Sequence, residues 1–312
     1  MKRILITGAN GQIGTELAEN LSQLVGAENI VGLDLQPART PDSFAHEIAD
    51  VTDRDVLQQT IDKHKVDTVF HLASLLSATG EQKPDIAWHV NLTGLKNVLD
   101  IARKQKIKIF WPSSIAVFGP KSPKSQTPQA TIIDPNTMYG ITKRAGELLC
   151  RYYHEKYEID VRSVRYPGII SYKTEPGGGT TDYAVEIFYE AIRQQIYTCF
   201  VEAETCLPMM YMDDAVRATI ELMRVDSARI TERASYNLAA VSFTVAELVA
   251  EIQKFIPEFK CTYKPDFRQA VANSWPQTID DSTARREWGW RHEFDLAAIC
   301  KTMLDKLRIK LK

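Results

Sequence analysis

Cysteine is scarce in this sequence of 312 residues, and its five positions are scattered. No C-x-x-C pair occurs among them; they are Cys150, Cys199, Cys206, Cys261 and Cys300. Disulfide frameworks and structural zinc sites need paired or clustered cysteines, so the sequence disfavours both. We therefore expect reduced thiols, no metal site and a cytoplasmic location.

The sequence also lacks an excess of either charge and any long apolar run. Lysine and arginine total 38 against 40 acidic residues, and no basic block dominates any segment. Nucleic acid and anionic membrane surfaces are therefore not expected partners. No apolar run is long enough to span a bilayer, and a strand predicted from Lys2 disfavours a signal or transit peptide.

Apolar runs that predict strands alternate with helical patterns through the first half of the chain. The strand-like runs lie at 2–7, 29–34, 46–51, 67–74, 107–112 and 160–170. The longest helical patterns between them cover 86–105 and 138–157. Strands and helices that alternate at this spacing predict an α/β fold with a parallel, doubly wound sheet.

A glycine-rich turn follows the first predicted strand and opens an amphipathic helix. It reads Gly8-Ala9-Asn10-Gly11-Gln12-Ile13-Gly14. Glycines permit a tight turn and a close approach of backbone to ligand, and a helix N-terminus presents N–H groups to a pyrophosphate. Any strand and helix can be joined by such a turn, but its position here favours a dinucleotide site.

Asp34 ends the second predicted strand, twenty residues after Gly14. An acidic side chain at this position accepts hydrogen bonds from both ribose hydroxyls and repels a 2′-phosphate, which favours NAD over NADP. The alternative is a turn residue at a strand end. The residues expected to border the cofactor at the ends of the third and fourth strands are Asp50, Val51, Leu72 and Ala73.

Tyr139 and Lys143 lie four residues apart in a helical pattern, so they project from one face. A phenol titrates near pH ~10, but a neighbouring ammonium lowers that pKa and would let Tyr139 accept a proton from a substrate hydroxyl. Ser114 follows the fifth predicted strand, at the sheet edge where ligands bind, and could donate to the same oxygen. Taken alone, the pair could be an ordinary surface tyrosine and lysine.

Together these motifs resemble the extended short-chain dehydrogenase/reductases. The residues that carry the resemblance over the first 170 positions are Gly8, Gly11, Gly14, Asp34, Asn91, Ser114, Tyr139 and Lys143, with Tyr166-Pro167-Gly168. The resemblance implies an NAD-binding Rossmann domain over 1–170, to which 209–239 returns. It also implies a smaller C-terminal substrate lobe over 171–208 and 240–312.

The same resemblance implies a role for each residue of the catalytic group. Tyr139 would be the acid/base, Lys143 would bind ribose and lower the Tyr139 pKa, and Ser114 would orient the substrate oxygen. Asn91, Tyr166 and Gly168 would border NAD. A homodimer is also implied, through the two long predicted helices.

Leu207 and Pro208 distinguish this chain from the largest subgroup of that family, which handles nucleotide sugars. Those proteins usually carry Arg-Asp ahead of a strand that ends in Asp-Asp, and the arginine binds the diphosphate. Here Leu207-Pro208 stands ahead of Asp213-Asp214. An apolar pair cannot neutralise a diphosphate, so a nucleotide sugar is disfavoured.

A glycine-rich segment, Pro176-Gly177-Gly178-Gly179-Thr180-Thr181-Asp182-Tyr183, follows the sixth predicted strand. We expect its glycines to expose their amides and Thr180 or Thr181 to cap a helix that runs through Gln195. Free N–H groups at the positive end of a helix suit a small carboxylate. A flexible loop with a helix cap is the alternative.

This segment, residues 207–214 and Ser274-Trp275-Pro276-Gln277 resemble the short-chain L-threonine 3-dehydrogenases. That resemblance implies metal-free oxidation of the L-threonine 3-hydroxyl by NAD to 2-amino-3-oxobutanoate. The residues expected at the substrate are Ser74, Ser114, Tyr139, Gly178, Thr180 and Trp275. A sugar-nucleotide 4-epimerase or dehydratase and a non-catalytic dinucleotide-binding scaffold stay open as alternatives.

Overall fold

A computed structural model describes residues 1–39 and 43–312. The strands, in chain order, are β1 (Ile4–Thr7), β2 (Ile30–Asp34), β3 (Ala45–Ile48), β4 (Thr68–His71), β5 (Lys108–Ser114), β6 (Val161–Tyr166), β7 (Gly168–Ile170), β8 (Ile196–Cys199), β9 (Cys206–Tyr211), β10 (Tyr236–Asn237), β11 (Val241–Thr244) and β12 (Lys260–Tyr263). The helices are α1 (Gln12–Val25), α2 (Arg54–His64), α3 (Ser77–Gln82), α4 (Pro84–Trp88), α5 (Gly94–Gln105), α6 (Met138–Tyr157), α7 (Tyr183–Arg193), α8 (Met212–Arg224), α9 (Val245–Gln253), α10 (Phe267–Ser274), α11 (Ser282–Trp288) and α12 (Leu296–Lys310).

The central sheet is parallel and has the strand order β10-β6-β5-β4-β1-β2-β3. Alternate side chains of a strand point to opposite faces. Ile4 and Ile6 of β1 therefore pack with α1 and α8, whereas Leu5 packs with α2, α5 and α6. Helices on both faces confirm the doubly wound α/β prediction. The strand order reverses between β1 and β4, and such a crevice is where open α/β sheets bind ligands.

The chain leaves the central sheet at Pro167. β6 ends one residue before it, and β7 begins one residue after it and joins a second sheet in the order β11-β9-β7. The prediction of one strand over 160–170 was therefore wrong. Proline has no N–H to donate and cannot continue the hydrogen-bond ladder of a central strand.

Later segments return to the central sheet or stay outside it. β10 pairs in parallel with β6 through Tyr236 and Val164, whereas β9 pairs with β7. A further sheet pairs β8 with β12. The division into a cofactor domain and a substrate lobe remains a proposal that these pairings support.

The helix predicted over 86–105 contains a π-helical turn at His89–Thr93, between α4 and α5. Asn91 in this turn is buried; its carboxamide accepts from the Leu75 amide at 2.8 Å and donates to the Thr142 hydroxyl at 3.0 Å. It also accepts from the Ser74 hydroxyl at 3.1 Å. Asn91 thus connects the turn after β4 to α6.

Candidate active site

Two adjoining cavities lie at the carboxyl edge of the central sheet. The first, about 220 Å³, is lined by these residues expected from the sequence: Gly8, Gly11, Gln12, Ile13, Gly14, Leu72, Ser74, Ser114, Tyr139, Lys143, Tyr166, Gly168, Thr180 and Trp275. The second, about 420 Å³, is lined by Asn10, Asp34, Asp50, Val51 and Ala73, and shares Leu72 with the first. Asn91 and Gly178 line neither cavity in the described structure.

Glycines in the turn allow it to pack closely against neighbouring backbone. Gly8 has φ +70°, and a Cβ there would lie 2.8 Å from the Ala73 amide nitrogen. A Cβ on Gly14 would lie 2.2 Å from the Gly8 carbonyl oxygen, so the turn and α1 can approach only as glycines. Among the described residues no side chain caps α1. The first-turn amides of α1 therefore suit a pyrophosphate.

Asp34 lies at the end of β2, on the wall of the second cavity. One carboxylate oxygen accepts from the Asn10 amide at 3.0 Å, and the other accepts from the Gln36 amide at 3.4 Å. These bonds orient the carboxylate and leave lone pairs for two ribose hydroxyls. The glycine turn and Asp34 together fit a dinucleotide with an unphosphorylated ribose.

Helix α6 carries Tyr139 and Lys143 into the first cavity. The Thr137 hydroxyl caps α6 by accepting from the Gly140 amide at 3.1 Å, which fixes where the helix begins. The Lys143 ammonium donates to the Pro112 carbonyl at 2.7 Å and lies 5.5 Å from the centre of the Tyr139 ring.

Burial dominates the electrostatics of this pair. It raises the pKa of Tyr139 to about 12, although a hydrogen bond with Ser114 acts in the opposite direction. Burial lowers the pKa of Lys143 to about 7. The expectation that Lys143 lowers the Tyr139 pKa is not met, because the ammonium bonds the Pro112 carbonyl and desolvation of the phenolate is the larger effect. Ser114 is the group that favours the phenolate here.

The glycine-rich segment before α7 does not have the free backbone amides that the sequence predicted. The Gly178 and Gly179 amides both donate to one carboxylate oxygen of Asp182, at 2.8 Å each. Asp182, and not Thr180 or Thr181, is the N-cap residue of α7. The prediction of free amides was therefore wrong, because an aspartate three or four residues ahead satisfies them locally.

Thr180 is still on the cavity wall, next to a residue that the sequence did not indicate. Its hydroxyl lies 3.0 Å from the Ser77 hydroxyl, and its amide donates to the same Ser77 oxygen at 3.0 Å. Both side chains are buried and line the first cavity. Ser77 begins a short helix after β4, and its sequence context carries no motif that would have marked it.

Asp182 and Trp275 complete the wall beside Thr180. Burial raises the pKa of the Asp182 carboxyl, while its bonds from the two glycine amides act against this shift. The Trp275 indole N–H is buried and has no hydrogen-bond partner among the described residues. An unpaired buried donor of this kind is available to a ligand. The Gly-Gly-x-x-Asp spacing is the signal that could have identified Asp182.

Comparison with known proteins shows which family this chain belongs to. The model of the NAD dependent epimerase/dehydratase family matches residues 4–239. This chain belongs to that family. An uncharacterized epimerase/dehydratase of Staphylococcus saprophyticus is 47% identical, over 100% of this chain and 99% of that protein. The resemblance to the extended short-chain dehydrogenase/reductases is confirmed, and NAD is the cofactor.

Solved structures of the epimerase/dehydratase fold narrow the comparison. The GalE-like L-threonine dehydrogenase of Cupriavidus necator, in its holo form, is 51% identical with a TM-score of 0.96, covering 98% of this chain and 99% of that one. An L-threonine 3-dehydrogenase from a metagenome, described as monomeric, is 46% identical with a TM-score of 0.97, covering 99% of this chain and 100% of that one.

The described part of this family member contains no helix that is long and apolar enough to cross a membrane. It also contains no group of three or more His, Cys, Asp or Glu side chains arranged to hold a metal ion. The five cysteines are unpaired, and Cys150, Cys199 and Cys300 are buried.

Proposed function

We propose that this protein oxidises the 3-hydroxyl of L-threonine with NAD to give 2-amino-3-oxobutanoate. The observation that carries the proposal is one small cavity lined by several hydroxyl groups. Tyr139 and Ser114 line it together with the buried, mutually bonded Thr180 and Ser77. A cavity of about 220 Å³ suits an amino acid beside a nicotinamide. The names of the similar solved structures point in the same direction.

The reaction transfers one proton and one hydride from the substrate. The nicotinamide of NAD supplies the hydride acceptor, and its positive charge favours ionisation of a nearby phenol. Tyr139 takes the hydroxyl proton, while Ser114 holds the oxygen as the C3–O single bond becomes a carbonyl. L-threonine and NAD⁺ thus give 2-amino-3-oxobutanoate, NADH and a proton. Lys143 would bind the ribose next to the reacting ring.

Thr180, Ser77 and Asp182 match the zwitterionic end of threonine. One hydroxyl of the Thr180–Ser77 pair donates to the other, and the second hydroxyl proton can bind the carboxylate. Both glycine amides donate to one carboxylate oxygen of Asp182, and its other oxygen can accept from the ammonium group. In this proposal, these side chains take the place of the free glycine amides that the sequence predicted as the carboxylate site.

A nucleotide sugar would find no cation at the position where its diphosphate is usually bound. Leu207 stands there in place of the arginine and is buried in an apolar cluster with Tyr183 and Met209. A diphosphate bound nearby would lose its hydration without a compensating cation. The homodimer and the cytoplasmic location remain proposals beside the threonine activity.

Release of NADH tests the proposal against its alternatives. Purified protein is incubated with NAD and, separately, L-threonine, L-serine or a UDP-hexose, and NADH absorbance is followed. With L-threonine we expect NADH to accumulate, one molecule for each molecule of 2-amino-3-oxobutanoate formed. Epimerised sugar without net NADH would instead support the 4-epimerase. NAD binding without turnover of any substrate would support a scaffold.

A further inference from the structure

The loop between β5 and α6 is held against the segment that follows α10, and Lys124 makes the central contact. Its ammonium donates to the Ser274 carbonyl at 2.6 Å and to the Trp275 carbonyl at 3.3 Å. It also reaches the Gly119 carbonyl at 3.4 Å. The Lys124 ammonium therefore binds carbonyl oxygens of both segments.

The backbone around Lys124 is paired to the same segment independently of its side chain. The Lys124 carbonyl accepts from the Gln277 amide at 2.8 Å and the Thr278 amide at 3.1 Å. The Thr127 amide donates to the Thr278 carbonyl at 3.0 Å. A substitution of the Lys124 side chain leaves these backbone bonds in place, so its effect reports on the ammonium.

Ser274 is the last residue of α10, and Trp275 is its C-cap residue. Terminal carbonyls of a helix have no intrahelical partner and carry partial negative charge. The Lys124 ammonium satisfies two of them and so fixes the backbone from which the Trp275 side chain projects. Because the indole N–H has no partner among the residues described, the ring has no polar anchor of its own.

Trp275 borders two cavities. This residue is only 4% exposed and lines the cavity that is also lined by Tyr139 and Thr180. It also lines a second cavity of about 290 Å³, whose wall includes Lys124 itself. A shift of Trp275 toward the second cavity would therefore enlarge the space open to a substrate.

We propose that Lys124 is a positioning residue that holds Trp275 in the wall of the substrate cavity and so limits the size of the substrate side chain. The inference rests on the proposed oxidation of a β-hydroxy amino acid. It predicts that threonine is preferred over analogues with a bulky group at C3 because Trp275 closes the space behind the small substituent.

Lys124→Met tests the proposal, since methionine keeps the unbranched chain without the charge. Lys124→Arg is the conservative variant, and Lys121→Met is the matched control on the same loop, where the side chain is exposed. kcat and KM are measured with NAD for L-threonine and for 3-phenylserine. We expect Lys124→Met to raise the phenylserine-to-threonine ratio of kcat/KM about tenfold, mainly by lowering the KM for 3-phenylserine.

Lys124→Arg should restore much of the wild-type ratio, and Lys121→Met should leave it unchanged. Trp275→Leu should shift the ratio in the same direction with Lys124 intact, which keeps the test valid if Lys124→Met fails to fold. A wild-type ratio in both Lys124→Met and Trp275→Leu overturns the proposal.

Tryptophan fluorescence separates this proposal from the proposed function. The Trp275 signal is the difference between each protein and its Trp275→Phe version, and it is measured during acrylamide quenching without substrate. We expect the Trp275 signal to be quenched more strongly in Lys124→Met than in the wild type. Unchanged quenching overturns the role of Lys124 even if threonine is oxidised. Lack of threonine oxidation by the wild type overturns the proposed function, and quenching still decides whether Lys124 holds Trp275.

Discussion

The Ser77 and Thr180 hydroxyls lie 3.0 Å apart although 103 residues separate them in the chain. Their contact joins the first turn of α3 to the segment before α7, on the lining of the first cavity. One hydroxyl donates its proton to the other, so the proton of the accepting hydroxyl is available to a carboxylate.

Threonine should therefore be oxidised much faster than threoninol, which has the same reacting hydroxyl but no carboxylate. A charge-assisted hydrogen bond contributes roughly 1.5–3 kcal/mol, so its loss should lower kcat/KM about 10–150-fold. Thr180→Val keeps the side-chain shape and should narrow the gap between the two substrates. Thr198→Val, at an exposed position of β8, is the control. Equal turnover of both substrates by the wild type would place the carboxylate site elsewhere.

Tyr139→Phe should lower kcat by about 10²-fold or more, the scale of lost acid–base catalysis. NAD affinity, measured by calorimetry, should change little because the ring still packs. Tyr183→Phe is a matched control, since that buried hydroxyl has no partner within the described ranges. Near wild-type turnover by Tyr139→Phe would remove Tyr139 as the base.

The rate of threonine oxidation should rise with pH. Burial raises the pKa of Tyr139 to about 12, so the fraction of phenolate is small at neutral pH and grows about tenfold per unit as pH increases. kcat/KM measured between about pH 7 and about pH 9 should therefore increase. A profile that falls over this range would show that a protonated group limits the reaction instead.

Asp34 should determine the choice between NAD and NADP. Asp34→Asn keeps an oxygen for the Asn10 amide but removes the charge that repels a 2′-phosphate. The ratio of activity with NAD to activity with NADP should fall in this variant. Asp67→Asn, which alters a carboxylate bonded to the Lys2 amide, serves as the control. Equal use of both cofactors by the unaltered protein would contradict this interpretation of Asp34.

A homodimer should form through the helices over 86–105 and 138–157, which are α4 with α5 and α6. Exposed apolar side chains on these helices are Ile86, Trp88, Ile141, Leu148 and Tyr152. Sedimentation of wild type at micromolar concentration should give a dimer, and Leu148→Glu should shift it toward monomer. A monomer at all concentrations would match the metagenomic relative instead.

The sequence was sufficient to predict most residues that line the cavities of Tyr139 and Asp34, because their signals are local. Spacing over a few residues is enough to recognise the glycine turn between a strand and a helix. The same holds for Asp34 at the end of the next strand and for Tyr139 and Lys143 on one face of a helix. The family match then confirmed NAD as the cofactor.

The substrate half depends on contacts between distant segments, which no local pattern encodes. Ser77 gains its position from Thr180, and Lys124 meets Trp275 only because two loops fold against each other. The bonds from the Gly178 and Gly179 amides to Asp182 are a local exception, which the Gly-Gly-x-x-Asp spacing could have predicted. Effective pKa values likewise depend on burial, which reversed the expected direction for Tyr139.

Pro167 has a mechanical consequence for any opening of the crevice. It is the single residue between β6 of the central sheet and β7 of the second sheet, and its side chain lines the first cavity. The pyrrolidine ring holds φ at about −65°, so one backbone torsion of this connection is fixed. Rotation between the two sheets must therefore use other torsions than the φ of Pro167.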